Sequence, residues 1–274
     1  MSDSSSVMTR AVKKSDFVRA LKSLGVADHK VVVIISDLAA FGDLEHSGGE
    51  KDAMFRTYVE CFQELMGVNG TLVVPTFTYE RTGPDSPYIH ETTPSETGVL
   101  TEYLRNKAGS LRSMHPVFSF TAVGKDKEAI CANVSRNSYA WNTPTHRLVE
   151  ADALVISIGR SPHRGSFFIH LGEAFVGVPY RYTKELAIPV FSEGQVIPQP
   201  FYHYVKYAEA DIAWDTNRLI ERLESRHLLR YEPLGLSGIW GYKAKDVFQT
   251  TVSLLMRNIY GLLAQPPTKT PWRK

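Results

Sequence analysis

The chain predicts an α/β fold, in which a largely parallel central sheet is flanked by helices within a single domain over residues 1–274. Three observations carry this. Val31-Val32-Val33-Ile34-Ile35 is a continuous β-branched run, the pattern of a strand buried on both faces. Strand, loop and helix alternate through Val74, as βαβ units require. A chain of 274 residues, 43% apolar and 22% charged, can bury one large core with the composition of an ordinary globular protein.

Ser15 to Leu24 comes first, with Phe17, Val18, Leu21 and Leu24 at helical spacing and Gly25 as its stop. The Val31–Ile35 strand leads into the loop Ser36 to Gly42. Gly48-Gly49 then precedes a helix in which Met54, Tyr58, Cys61, Phe62 and Leu65 keep the 3.6-residue period until Gly67. Thr71 to Val74 is a second strand, running into Pro75-Thr76-Phe77-Thr78-Tyr79. Thr82 to Pro94 is a loop of functional length. Thr93-Pro94-Ser95-Glu96 has capping-box spacing and is expected to open a helix through Leu104, with Gly98 inside it. Val117 to Val123 returns to strand, Asp126 to Asn133 to helix, and Thr143-Pro144 starts a short helix before the strand Ala153 to Ile158. Past Arg181, Ile188 to Val196 reads as a hairpin turning at Glu193-Gly194. Two long amphipathic helices follow, one marked by Ile212, Leu219, Ile220 and Leu223, the other by Val247, Thr251, Leu254, Leu255 and Leu262. Residues 1–10 and 265–274 read as loose tails.

A formal charge of +2, from 31 basic and 29 acidic residues, gives no basis for binding nucleic acid or an anionic membrane. The two cysteines, Cys61 and Cys131, form no C-x-x-C, so neither a disulfide framework nor a thiolate metal site is expected, and a cytoplasmic location suits the chain. Met1-Ser2-Asp3-Ser4-Ser5-Ser6 lacks the order of a signal peptide, and no apolar run has the length of a membrane span.

The chemistry gathers in the middle, at Gly165-Ser166-Phe167-Phe168-Ile169-His170-Leu171-Gly172-Glu173. The breakers Gly159, Pro162 and Gly165 end the preceding strand, and a helix starting near Ser166 makes His170 and Glu173 an i, i+3 pair. Ser166 then lies one turn earlier on the same face. An imidazole beside a carboxylate is a general base of tunable pKa, because the carboxylate favours the imidazolium formed on proton abstraction. The bland alternative is a half-buried histidine satisfied by a neighbour. His163, His170 and Glu173 also offer a metal-dependent hydrolase reading, but Ala174 stands where an inverted zinc motif has its second histidine. There is no P-loop, no dinucleotide fingerprint and no G-x-S-x-G elbow.

Four pieces occur in order: Ile35-Ser36-Asp37-Leu38 with Gly42; Gly70 to Thr78; Arg112-Ser113-Met114-His115-Pro116 with Ser119; and the central Ser166, His170 and Glu173 with Val178-Pro179-Tyr180-Arg181. Together they resemble the aminoglycoside 3-N-acetyltransferase (antibiotic N-acetyltransferase) family, clearly from Val31 to Arg181 and more loosely to Leu263. The resemblance implies acetyl-CoA as acyl donor, no metal, and an aminoglycoside or related amino sugar as acceptor. It implies His170 as the general base and Glu173 as its orienting partner. Ser36, Asp37, Leu38, Gly42, Arg112, Ser113, His115 and Ser119 would line the CoA site, with Arg112 as the phosphate charge, unless the Arg112 to Pro116 run only ties down backbone. Thr76, Thr78, Tyr79, Glu80 and Ser166 are the substrate and oxyanion candidates. One departure stands out. Where the family has a histidine and two hydroxyl residues, this chain has Ile35-Ser36-Asp37, so Asp37 either faces the CoA phosphates or caps backbone N–H groups in the turn. A catalytically silent sugar-binding relative is the remaining alternative.

Overall fold

The computed structural model describes residues 11–50, 52–80, 83–164 and 166–273; the predicted N-terminal tail, residues 1–10, lies outside the described residues. In chain order, helix α1 (Lys14–Ser23) precedes strand β1 (Val31–Ser36), helices α2 (Leu38–Phe41) and α3 (Ala53–Met66), and strand β2 (Thr71–Pro75). Next come β3 (Tyr88–Ile89), α4 (Val99–Arg105), β4 (Leu111–Arg112), β5 (Phe120–Gly124), α5 (Lys127–Cys131), α6 (Pro144–Glu150), β6 (Leu154–Ile158) and α7 (Phe167–Val176). The C-terminal part adds β7 (Arg181–Glu185), β8 (Val190–Ser192), β9 (Gln195–Val196), β10 (Tyr202–Lys206), α8 (Asn217–Ser225), β11 (Leu229–Glu232), β12 (Ile239–Lys243) and α9 (Ala244–Arg257).

Seven strands form one sheet in the order β11-β12-β6-β1-β2-β5-β4. β1 runs parallel to β2 on one side and to β6 on the other. β5, β4, β12 and β11 join antiparallel. The expectation of a largely parallel sheet therefore holds at the centre only. The antiparallel hairpin β11–β12 carries alternating and exposed residues that gave no strong strand signal.

The β-branched run of β1 is central because both its faces are covered. Val31 and Val33 pack with Val73 and Val155 in a core that also holds Phe168, Leu219, Val247 and Leu255 from α7, α8 and α9. Val32 and Ile34 pack with Leu72, Val74 and Ile156 in a second core, against Phe17 of α1 and Tyr58 and Phe62 of α3. Each such side chain contributes about 1.5–3 kcal/mol when fully buried. Helix α7 lies close on α9: a Cβ at Gly172 would come within 2.5 Å of Thr251 Cγ2. The close approach therefore requires glycine two residues after His170.

Four expectations need correction. The first of the two long C-terminal helices begins only at Asn217, and the second ends at Arg257. Ile212 and Leu262 still pack against the same core, outside any helix; their spacing reported burial, not conformation. The capping box at Thr93 does not form. Gly98, with φ at +124°, sets the helix start at Val99, Glu96 Oε2 accepts from the Glu80 N–H at 2.9 Å, and Thr93 Oγ1 accepts from the Ile89 N–H at 2.8 Å. The fourth is the C-terminal tail, which is tied down through Lys269. Asp211 accepts from the Thr268 N–H at 3.2 Å, the Thr268 hydroxyl at 2.6 Å and the Lys269 N–H at 2.9 Å, and Trp272 packs on Tyr207. The short hairpin does turn at Glu193-Gly194, both residues having positive φ. Among the described residues, no helix is long and apolar enough to cross a membrane.

Candidate active site

β1 is the strand from which the chain winds both ways, to β2 on one side and eventually to β6 on the other. In open α/β sheets the crevice outside the carboxyl ends of such strands is where ligands bind. Here a cleft of about 850 Å³ opens at that place, lined by segments following β1 (Ser36 to Ala39), β2 (Pro75, Phe77, Tyr79) and β6 (Arg160, His163) and by His170 and Trp214.

Helix α7 delivers the imidazole. Ser166 is its N-cap, accepting from the Phe168 N–H at 3.4 Å, and Gly177 ends it in the left-handed region. His170 Nδ1 lies 2.7 Å from Glu173 Oε2, as the i, i+3 spacing requires. Glu173 is fully buried, and its other oxygen accepts from the Tyr180 hydroxyl at 2.8 Å. The imidazole, 31% exposed, lines the cleft, and Nε2 takes no partner among the described residues. Arg181 reaches the same pair, with Nε 2.8 Å from Glu173 Oε2 and Nη2 2.9 Å from His170 Nδ1. Burial first, and then the Arg181 charge, hold the His170 pKa below its ordinary value, while the Glu173 bond works against them.

The other predicted residues divide. Ser36, Asp37, Leu38, Tyr79 and Ser166 line the cleft with His170. Gly42, Arg112, Ser113, His115, Ser119, Thr76, Thr78 and Glu80 do not. Arg112 is buried with its donors directed to protein: Nε to Ser119 Oγ at 2.9 Å, Nη1 to Thr93 O at 2.6 Å and Nη2 to Thr76 O at 2.9 Å, with Tyr88 under the guanidinium. His115 Nδ1 accepts from the Val117 and Phe118 N–H groups and Nε2 pairs with Tyr202 O; burial pushes its pKa down to about 4, so the ring is neutral. Ser113 Oγ accepts from the Phe120 N–H. The run Arg112 to Ser119 is thus a backbone-tying loop. These are the partners of the backbone-tying alternative, and the run lies outside the cleft lining. Thr76 pairs with Ser119 and Thr121, and Thr78 donates to Pro116 O, so neither hydroxyl faces the cleft. Glu80 is exposed. Gly42 closes α2 beside Leu236.

Asp37 Oδ1 accepts from the Ala40 N–H at 3.0 Å, so the carboxylate caps the turn after β1 while still bordering the cleft. Asp37→Ala is expected to lower stability by about 0.5–2 kcal/mol. Thermal melting checks this. A variant that melts like the parent but binds CoA more tightly would show the carboxylate to be a charge opposing phosphate.

Sequence reasoning gave no role to Arg181, although it belongs to the Val178 to Arg181 piece, and it missed Trp214, Tyr139 and Arg160 as cleft residues. Arg181 and Tyr180 followed the His-Glu pair closely enough in sequence to be candidates. Trp214 carried no signal, because it reaches the cleft only through the packing of the coil before α8. The metal reading loses its geometry: among the described residues no three His, Cys, Asp or Glu side chains converge as a metal site needs.

Comparison with known proteins gives the arrangement its class, that of an acyltransferase. The chain belongs to the aminoglycoside 3-N-acetyltransferase family, whose profile matches residues 34–256. It is 25% identical over 248 residues to aminoglycoside N(3)-acetyltransferase IV of a Salmonella species, covering 90% of this chain and 88% of that one. Among solved structures, the apoenzyme of aminoglycoside acetyltransferase AAC(3)-IVa superposes with a TM-score of 0.75 at 22% identity, covering 95% of each chain. AAC-IIIb in binary complex with CoASH superposes with a TM-score of 0.74 at 19% identity, covering 94% of this chain and all of that one. A mutant of AAC(3)-IVa has also been solved in complex with apramycin.

Proposed function

We propose that this chain transfers the acetyl group of acetyl-CoA to an amino group of an aminoglycoside or related amino sugar, by direct attack in the cleft with His170 as general base, in the cytoplasm. The carrying observation is the buried Glu173 carboxylate 2.7 Å from Nδ1 of an imidazole that lines the cleft. Family membership and the named relatives support the acceptor class. The cleft suits the donor: Leu38, Phe77, Val99 and Phe167 form an apolar wall for the pantetheine arm, and the turn Ser36 to Leu38 borders it. Acetyl-CoA, when bound, supplies the thioester carbon as electrophile. An amine is mostly ammonium at neutral pH and attacks only as the neutral form, so a base must take a proton. The neutral imidazole does this at Nε2, while its Nδ1 proton is held on Glu173. Ser166 is the predicted oxyanion donor that remains on the cleft wall. Cys61 and Cys131 are both buried, with thiol pKa values pushed up by burial, to about 11 and about 12; this supports transfer without a cysteine intermediate. Thiol release from acetyl-CoA against a panel of aminoglycosides and simpler amino sugars tests the reading. No release with any acceptor would leave a sugar-binding relative instead.

Glu173→Gln gives a signed test of the pair. Activity is lost as pH falls through the His170 pKa, because the neutral ring is the base. The Glu173 hydrogen bond and charge raise that pKa, so removing them lowers it. The acidic limb of the pH–rate profile is expected to move down by about one unit. A limb that stays in place would mean the two side chains do not share a proton.

A further inference from the structure

We propose that Arg181 is a positioning residue for the base: by pairing with the carboxylate oxygen that holds His170, it keeps the resting pair as a neutral imidazole beside a carboxylate. The inference rests on His170 being the base.

The geometry is a three-way junction at one oxygen. Glu173 Oε2 has His170 Nδ1 at 2.7 Å and Arg181 Nε at 2.8 Å. The Nε–H is not aimed along its contact, leaving that nitrogen without a hydrogen-bond partner, so the contact is charge against charge. Arg181 Nη1 donates to Tyr204 O at 3.3 Å, and the guanidinium carbon lies 5.1 Å from the Trp214 ring centroid and 5.5 Å from that of Tyr204. The side chain is 8% exposed. An arginine held between two rings and away from water acts at lower dielectric than a surface one.

Two consequences follow for His170. Protonating the ring would place a second cation about 3 Å from the guanidinium on a carboxylate already neutralised, and like charges disfavour this. The same contacts bias the tautomer. Nδ1 faces an acceptor, Oε2 at 2.7 Å, and a donor, Nη2 at 2.9 Å; the shorter, charge-assisted contact to the carboxylate favours the proton on Nδ1, which leaves the lone pair on Nε2.

The remaining titratable groups around the ring change little. Tyr139 meets it edge-on at 5.6 Å, Tyr180 binds Glu173, and Tyr204 and His203 come from β10. Burial raises the three tyrosines and pushes His203 down to about 3, so all four are neutral. His163 and Arg160 border the same cleft. Glu173 and Arg181 are therefore the charges in direct contact.

The test is ¹⁵N NMR titration of the histidine-labelled full chain, with the His170 signal assigned by its loss in His170→Ala, beside pH profiles of kcat/KM. In Arg181→Met, and in Arg181→Gln should the methionine variant not fold, the His170 titration and the acidic limb are expected to rise together by about one pH unit. Arg181→Lys, which keeps the charge, should move them by less than half as much, with KM for acetyl-CoA within about twofold of the parent in all three. A titration that stays or falls in the neutral variants overturns the proposal, as does a lysine variant shifted as far as they are. NMR reads the ring whether or not transfer occurs. A rise in a protein that releases no thiol would sink the proposed function, and with it the positioning role, while leaving the electrostatic link between Arg181 and His170 standing.

Discussion

His170→Ala is expected to lower the rate of acetyl transfer by about 10²–10⁴-fold, the usual cost of losing a general base, while leaving acetyl-CoA binding within about twofold. The asymmetry follows from where the ring sits. The ring lines the cleft and its Nδ1 faces Glu173, leaving Nε2 as the nitrogen for substrate, so its loss removes the proposed acceptor for the amine proton. The apolar wall of Leu38, Phe77, Val99 and Phe167 that suits the pantetheine arm is untouched. The fold should tolerate the change, since the ring is 31% exposed and its main partner, Glu173, keeps Tyr180 and Arg181. Steady-state rates with saturating acetyl-CoA, and calorimetric titration of CoA on the same protein, check both halves. More than roughly a tenth of the parent activity in the variant would sink the assignment of the base.

The pair was legible in the sequence because an i, i+3 relation is local: once Ser166 caps the helix, backbone geometry brings His170 and Glu173 together without help from the rest of the chain. The central strands were legible for a similar reason, because β1, β2 and β6 are covered on both faces and read as near-continuous apolar runs, with Ser157 the one interior break in β6. β7 and β10 escaped notice. Most residues of β7 are exposed, and a strand that buries little carries no apolar alternation to read. Arg181 belongs to β7, and its contacts with Glu173, Trp214 and Tyr204 are tertiary ones that sequence spacing does not encode. The run Arg112 to His115 was ambiguous in sequence. A cluster of arginine, serine and histidine looks the same in sequence whether it binds a ligand or satisfies buried carbonyls, and only the partners tell the two apart.

Those partners set the second large effect, which is on stability. Arg112→Met is expected to destabilise the fold by about 3 kcal/mol, because hydrogen bonds to charged groups are worth about 1.5–3 kcal/mol each and a buried carbonyl left unpaired costs further. Thr93 O loses its guanidinium donor, and Ser119 Oγ loses the Arg112 Nε–H. Thr76 O is less affected, since it also accepts from the Ser119 hydroxyl at 2.7 Å. Methionine refills part of the volume and removes the desolvated charge, which keeps the figure below the sum of the bonds lost. For a domain of this size that corresponds to a fall of roughly 6–12 °C in Tm. KM for acetyl-CoA should change by less than about threefold at a temperature where the variant is folded, because Arg112 lies outside the cleft. The contrary role makes the opposite pattern. An arginine that met a CoA phosphate would leave Tm nearly unchanged on substitution and raise KM for acetyl-CoA tenfold or more, with an effect that shrinks in salt. A melting curve and an acetyl-CoA saturation curve on one preparation of Arg112→Met separate the two. The carbonyls of Thr76 and Thr93 flank the segments that lead into the cleft, so the destabilised variant is also expected to lose amide-exchange protection first in residues 76–80 and 93–98.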